Sequence, residues 1–171
     1  MHLLLVGLRG SGKTTLGRLL ADLAPRPFID LDERTSALAG QDAASCFAEH
    51  GEARWRELES QAFKAALQEE PSVIALGGGT PTAPGVLECI TQAQADSHAR
   101  VAWLDAPDQV LLDRIGSDDS RPALTELSPG EEMQRIREER GPIYTRIAQV
   151  KLDTSTSSRD EILARLAELL H

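Results

Sequence analysis

The sequence predicts an α/β fold of three layers, with a central parallel sheet of about five strands flanked by helices. Three observations carry this reading. The short apolar runs are continuous rather than alternating, as in strands covered on both faces. They alternate with stretches of helical periodicity. The first run passes into the first helix through a glycine-rich turn.

Leu3-Leu4-Leu5-Val6 is the first strand. Thr14 to Leu23 carries Leu16, Leu19, Leu20 and Leu23 at helical spacing, and Pro25 and Pro27 stop it. Phe28-Ile29 begins a short second strand. Helices follow around Gln41 to Glu49 and Glu52 to Gln68, then a strand at Val73-Ile74-Ala75-Leu76, a helix over roughly Pro84 to Gln94, a strand at Val101-Ala102-Trp103-Leu104 and a helix from Pro107 to Ile115. Ser128-Pro129-Gly130-Glu131 has the form of a capping box with Pro at the first helical position. Ser158-Arg159-Asp160-Glu161 offers a second, ahead of Ile162, Leu163, Leu166 and Leu169. Val150-Lys151-Leu152 lies between them as a fifth strand. No repeat, low-complexity tract or linker divides the chain, so one domain over residues 1–171 is expected. The polar break from Gly116 to Thr125, with Asp118, Asp119 and Arg121, is a candidate lid.

Composition narrows the function. A chain of 171 residues with 41% hydrophobic content buries most of its apolar surface without staples. Its net charge of −9 argues against nucleic acid, whose binding draws on Lys and Arg neutralising phosphates. A small anion stays open if basic groups cluster locally. The 15 Arg against 3 Lys suit forked recognition of carboxylate and phosphate, and equally a base-composition bias. Cys46 and Cys89 stand in apolar helical surroundings without metal-ligand spacing, and read as buried thiols of a reduced compartment. The first strand leaves no room for a signal peptide, and no apolar run approaches the ~18 residues of a membrane span. A cytoplasmic monomer without a membrane partner is expected.

Gly7-Leu8-Arg9-Gly10-Ser11-Gly12-Lys13-Thr14 fills G-x-x-x-x-G-K-[ST] between a strand and a helix, which is the context a phosphate cradle requires. Backbone N–H groups of Gly10, Ser11 and Gly12 point inward, the helix adds the positive end of its dipole, and Thr15 lies in its first turn. Lys13 reaches the β and γ phosphates. Thr14 offers a hydroxyl to Mg²⁺, a hard cation that prefers oxygen.

Four more segments accompany this cradle: Asp30-Leu31-Asp32, Trp55-Arg56, Gly77-Gly78-Gly79, and Arg121-Pro122 with Arg140-Gly141-Pro142-Ile143-Tyr144. Together, in this order, they resemble the shikimate kinase family from the first residues to about Asp153. Asp30 and Asp32 follow the second strand, where ligands of open α/β sheets collect, and a spacing of two in an extended segment puts both carboxylates on one side. The resemblance implies that Asp30 lies near the metal, with Thr14, and that Asp32 binds the substrate hydroxyls and takes the proton. Read without it, Asp32 also suits the N-cap of a helix over Glu33 to Leu38.

A guanidinium fork makes two parallel bonds to a carboxylate, which qualifies Arg56 and Arg140 for the acceptor's acid group, and the resemblance assigns both to it. Otherwise Arg56 is one charge among several on a helix, and Arg140 complements a helix dipole. Gly77-Gly78-Gly79 leaves a strand end without side chains, where a ring can press on backbone. The resemblance implies that this triplet contacts the substrate, that Arg121 swings from the lid onto the transferring phosphate, and that Arg114 stacks on adenine. Arg114 also reads as a solvated helix-end charge. Trp55 stands where Phe is more usual and is expected to pack over the ligand or the core.

Two decoys are set aside. Asp105, at the end of an apolar strand, imitates a metal carboxylate, but motif context favours Asp30. Val150-Lys151-Leu152-Asp153 approaches a guanine-reading motif but begins with the wrong residue. The expected function is ATP-dependent phosphorylation of the 3-hydroxyl of shikimate, in aromatic amino-acid (chorismate) biosynthesis, by a nucleoside-monophosphate-kinase-like P-loop fold with substrate-binding helices at about residues 32–62. The alternatives are a kinase for another polyol acid such as gluconate and a non-catalytic nucleotide-binding switch.

Overall fold

The computed structural model describes residues 1–116 and 128–170, to which every statement of structure refers. In chain order the elements are β1 (His2–Val6), α1 (Lys13–Leu23), β2 (Phe28–Asp30), α2 (Leu31–Ala39), α3 (Ala43–Ala66), β3 (Val73–Ala75), a 3-10 turn (Thr80–Thr82), α4 (Val86–Ala95), β4 (Ala99–Asp105), α5 (Asp108–Ile115), α6 (Pro129–Ile147), β5 (Val150–Asp153) and α7 (Arg159–Glu168). The five strands form one sheet in the order β2-β3-β1-β4-β5. Every pairing is parallel, with Leu4 opposite Ile74 on one side and Val101 on the other.

The continuous apolar strands are explained by burial on both faces. Leu3 and Leu5 join Leu16, Leu20, Leu163 and Leu166 in one cluster under α1 and α7. Leu4 and Val6 face the other way, into a larger cluster with Phe63, Ile74, Ile90, Trp103, Leu111 and Tyr144 under α3 to α6. Alternate residues of one strand thus feed two cores.

Both capping boxes form: Ser128 with Glu131 and Ser158 with Glu161 each exchange side-chain and backbone bonds. α2 corrects one expectation. Its N-cap is Asp30, whose Oδ1 accepts from the amides of Asp32 (3.0 Å) and Glu33 (3.4 Å). β2 runs into α2 without a loop, so Asp32 lies in the helix's first turn and the two carboxylates do not share an extended segment. The two helices expected around Gly51 are two segments of α3, with Gly51 at φ 79° between them. Trp55 packs in a satellite core with Cys46 and Leu58, edge-on to Phe47, so its ring serves the core and not a ligand. Cys46 is buried as expected. Cys89 is only half-buried, because α4 turns that face partly outward. No helix of the described residues is long and apolar enough to cross a membrane.

His2 ties the start of β1 to the chain entering β3: its Nδ1 accepts from the Ser72 amide at 3.2 Å. Burial, then the nearby N-terminal charge, lowers its pKa below 6.5. The unfolded chain therefore binds more protons as pH falls below 6.5, so the stability His2 contributes is present above that value and is lost toward its lower folded pKa. Urea unfolding across this range is expected to show a smaller loss of stability with acid for His2→Gln than for the parent; identical pH profiles would refute the assignment.

Candidate active site

All five strands exit at one edge of the sheet, where the exits of β1, β2, β3 and β5 and the end of α5 line a common cleft of about 620 Å³. The loop after β1 forms its floor, with Gly12 at φ 90° serving as the N-cap of α1 without a side chain. Only a residue that tolerates the left-handed region can turn the backbone so that the helix amides face the cleft. Arg9, Gly10, Ser11, Gly12, Lys13, Thr14 and Thr15 line this part. The Lys13 ammonium donates to the carbonyls of Gly7 (2.9 Å) and Leu8 (3.0 Å), so it lies along the loop it is expected to bridge. Ser11 Oγ is buried without a hydrogen-bond partner.

The Thr14 hydroxyl donates to Asp30 Oδ2 at 2.8 Å. These two oxygens from different strand exits are the donors the sequence nominated for a metal. Oxygen-only donors beside a phosphate cradle suit Mg²⁺, which keeps most of its waters and takes few protein ligands. Among the described residues no group of three or more His, Cys, Asp or Glu gathers to hold a metal. Asp105, the decoy, is committed elsewhere: its carboxylate is paired with Arg137 at 2.9 Å and Lys151 at 2.9 Å.

At the far end of this cleft, Arg114 is not a freely solvated charge. Its guanidinium donates to Thr154 Oγ1 (2.8 Å), Thr154 O (2.7 Å) and Gly10 O (3.2 Å), which fixes its plane against the loop after β5. Thr154, Ser157, Arg159 and Ile162 complete that wall.

The acceptor side adjoins this cleft through Asp32. Around the backbone of Gly77 converge Asp32 Oδ1, Thr80 Oγ1 and Glu59 Oε1, so tightly that a Cβ there has no room. Gly79 likewise lies against the Arg56 guanidinium, and Gly78 faces Arg140. The triplet is glycine because charged groups pack directly on its backbone. Arg56 and Arg140, 84 residues apart in sequence, thus meet on neighbouring glycines.

Arg56 is held by carboxylates on its own helix. Its Nη1 donates to Glu59 Oε2 at 2.6 Å, and its Nε and Nη2 donate to Glu52 Oε1 at 3.1 and 2.6 Å. Burial opposes the charge of Arg56, but Glu59 and Glu52 more than offset it and raise its pKa. Glu59 is itself 1% exposed and accepts from the Thr80 hydroxyl at 2.8 Å, so one buried carboxylate joins α3 to the triplet loop. Arg140 differs: its Nε is buried with no hydrogen-bond partner. A buried donor left open costs about 1–3 kcal/mol unless something fills it. An arriving carboxylate would.

Tyr144, one turn beyond Arg140, donates to the Gly78 carbonyl at 2.5 Å. Burial pushes its pKa up to about 12, against the pull of Arg140 and Arg56, so the phenol stays neutral. The structure therefore brings together Lys13, Thr14, Thr15, Asp30, Asp32, Arg56, Gly77, Gly78, Gly79, Arg114 and Arg140. Arg121 lies outside the described residues, as does the expected lid beyond Gly116. Glu59, Thr80, Tyr144 and Thr154 were missed as site residues. A signal existed for Glu59, which stands three residues after Arg56, where helical side chains pair.

The shikimate kinase family model matches residues 9–171. A shikimate kinase from Rhodopirellula baltica is 37% identical over 169 residues, 96% of this chain and 88% of its own. The structure of a shikimate kinase from Acinetobacter baumannii in complex with shikimate superposes with a TM-score of 0.88 at 28% identity, over 99% of this chain and 92% of the other. A gluconokinase from Sinorhizobium meliloti shares the fold alone, with a TM-score of 0.61 at 17% identity over 99% of this chain and 90% of its own.

The Glu59 pairing generates a test of the site's architecture. Glu59→Ala leaves Arg56 without its buried partner and the Thr80 hydroxyl unbonded, with an expected loss of about 3 kcal/mol in urea unfolding, as for breaking a buried ion pair. Glu52→Ala, at an exposed carboxylate, is expected to cost less than about 1 kcal/mol. Equal losses for the two variants would show that burial is not what makes the Glu59 contact matter.

Proposed function

The chain belongs to the shikimate kinase family, and from that premise we propose how its residues share the transfer of the γ-phosphoryl of ATP to the 3-hydroxyl of shikimate. The observation that carries this reading is the buried, unfilled Nε of Arg140 beside Gly78, next to Arg56 and within the same constellation as Asp32. A ring acid set on the triplet would put its carboxylate between two forks and its hydroxyls toward Asp32.

Arg56 and Arg140 bind the acceptor carboxylate, and Gly77, Gly78 and Gly79 take the ring against backbone. Asp32 orients the 3-hydroxyl and accepts its proton as the oxygen attacks the γ-phosphorus, while the β–γ bridging oxygen leaves with ADP. Asp32 suits the role because the first turn of α2 aims its carboxylate at Gly77. Gly10, Ser11 and Gly12 present amides to the phosphates, with Thr15 beside them. Lys13 follows the charge as it moves toward the β–γ bridge, and Arg114 fixes the adenine. Arg121 is assigned to the transferring phosphate through the family resemblance. Thr14 and Asp30 would hold Mg²⁺, which supplies charge neutralisation at the β and γ phosphates when bound.

Residues 1–171 act as one domain, with the acceptor on helices within about residues 32–62 and a lid over about 116–125. The protein works as a cytoplasmic monomer. A gluconate kinase reading is disfavoured because two opposed arginines and a glycine floor suit a rigid ring acid. A non-catalytic switch gives no reason for a carboxylate and two forks beside the γ-phosphate site.

ADP release measured with shikimate, gluconate and nucleoside monophosphates is expected to depend on shikimate alone; its absence with shikimate would end the reading. Arg140→Ala is expected to raise the shikimate KM by about tenfold or more, with a smaller effect on ATP. Asp32→Asn is expected to lower kcat by about 10²-fold or more with little change in either KM, as for loss of a general base. Parental turnover in that variant would exclude the role.

A further inference from the structure

Arg137 makes four hydrogen bonds to the end of β4 and the start of α5. Its Nη1 donates to both oxygens of Asp105 at 2.9 and 3.0 Å, its Nη2 to the Ala106 carbonyl at 2.6 Å, and its Nε to Asp108 Oδ1 at 2.5 Å. Asp105 and Asp108 flank the turn from β4 into α5, so the partners belong to the sheet edge rather than to a mobile surface. Asp105 is 8% exposed and Arg137 25%. This pairing lies partly inside the protein, where screening is weak.

Position on α6 gives the pairing its meaning. Arg137, Arg140 and Tyr144 stand at i, i+3 and i+7, one stripe of a helix. Arg137 is tied to β4 and α5, Tyr144 to the Gly78 carbonyl, and Arg140 lies between these two anchors. The same stretch is the weakest part of α6. Gly141 lowers helix propensity, and Pro142 inside the helix removes an amide bond to the preceding turn. A helix that cannot hold its own geometry at Arg140 is held by its neighbours.

We propose that Arg137 is a positioning residue for acceptor recognition: bound to Asp105, Asp108 and the Ala106 carbonyl, it sets the placement of α6 at which the Arg140 fork faces the triplet. This rests on the assignment of Arg140 to the acceptor carboxylate. Asp105 extends the same logic to the nucleotide side. Its side chain holds Arg137 while its carbonyl accepts from the Thr154 amide (2.8 Å) and hydroxyl (3.1 Å), and Thr154 holds Arg114. One residue at the end of β4 therefore fixes both walls.

The test separates positioning from bulk stability by comparing two acceptors, shikimate and its methyl ester, which lacks the negative carboxylate. The readout is the ratio of the ester KM to the acid KM. Arg140→Ala is expected to lower this ratio by about tenfold, since a charge-assisted fork is lost only for the acid. Arg137→Met is expected to lower it by about fivefold, with kcat and ADP affinity within about twofold of the parent, and Arg137→Lys to recover part of the loss. Asp108→Asn, which loosens only the Nε contact, is expected to move the ratio in the same direction by less, and it serves if Arg137→Met does not fold. A parental ratio in Arg137→Met, with any loss shared equally by both acceptors, would overturn the proposal while leaving Arg140 in place. A parental ratio in Arg140→Ala would overturn the carboxylate assignment and the proposal with it.

Discussion

The constraint on which the site depends is that all strands run one way. A parallel sheet sends every chain exit to the same edge, so the loop after β1, Asp30 at the end of β2, the glycine triplet after β3, Asp105 at the end of β4 and Thr154 after β5 gather there regardless of sequence distance. β1 occupies the middle, and its loop carries the phosphate cradle. The groups assigned to the acceptor then gather on the β3 and β2 side and the wall of Arg114 and Thr154 on the β4 and β5 side. Phosphoryl transfer asks for little covalent chemistry from the protein and much positioning, which this edge provides.

The acceptor half is assembled around charges that the fold has already taken from water. Arg56 enters with two carboxylates, one of them fully buried. The desolvation of such a pair is offset only when geometry is good and the remaining lone pairs are satisfied, and Thr80 supplies the bond that completes Glu59. Arg140 is left with an open Nε in the same region. Arg56 has all three of its nitrogens paired with carboxylates, and Arg140 has one nitrogen that is not paired. No Cβ fits between the Arg56 guanidinium and Gly79, and one at Gly78 would be tight against Arg140, so the triplet is explained by its neighbours as much as by the ring it is assigned to receive.

Much of this was legible in the sequence. The strand and helix order followed from apolar periodicity, the cradle from spacing, and the capping boxes from Ser and Glu three residues apart. The sequence was less informative where a role depends on packing. Asp30 and Asp32 were correctly set at one strand end, but which of them caps α2 depends on where the helix begins, and β2 leaves no loop before it. Trp55 sits beside a site residue yet turns into a satellite core, a choice made by the helix face it occupies. Tyr144 and Thr154 act through a phenol on a backbone carbonyl and through a backbone carbonyl with its hydroxyl, contacts that leave no mark in residue patterns.

The chain's acidity has to be reconciled with a site for two anions. A net charge of −9 repels phosphate at long range, but at physiological ionic strength exposed charges are screened beyond about 8 Å. What an incoming ligand meets is local: Arg9, Lys13, Arg114 and Arg159 around the nucleotide cleft, and Arg56 with Arg140 around the acceptor. Of the carboxylates close by, Glu59 is paired with Arg56 and Asp105 with Arg137 and Lys151, so neither opposes an anion with its full charge. Asp30 and Asp32 line the cleft, Asp30 accepting from the Thr14 hydroxyl and Asp32 set against the Gly77 backbone. In the proposed mechanism these two charges are used, one toward a cation and one toward a proton. Pairing Glu59 and Asp105 with basic partners is what lets an acidic protein present a cationic pocket.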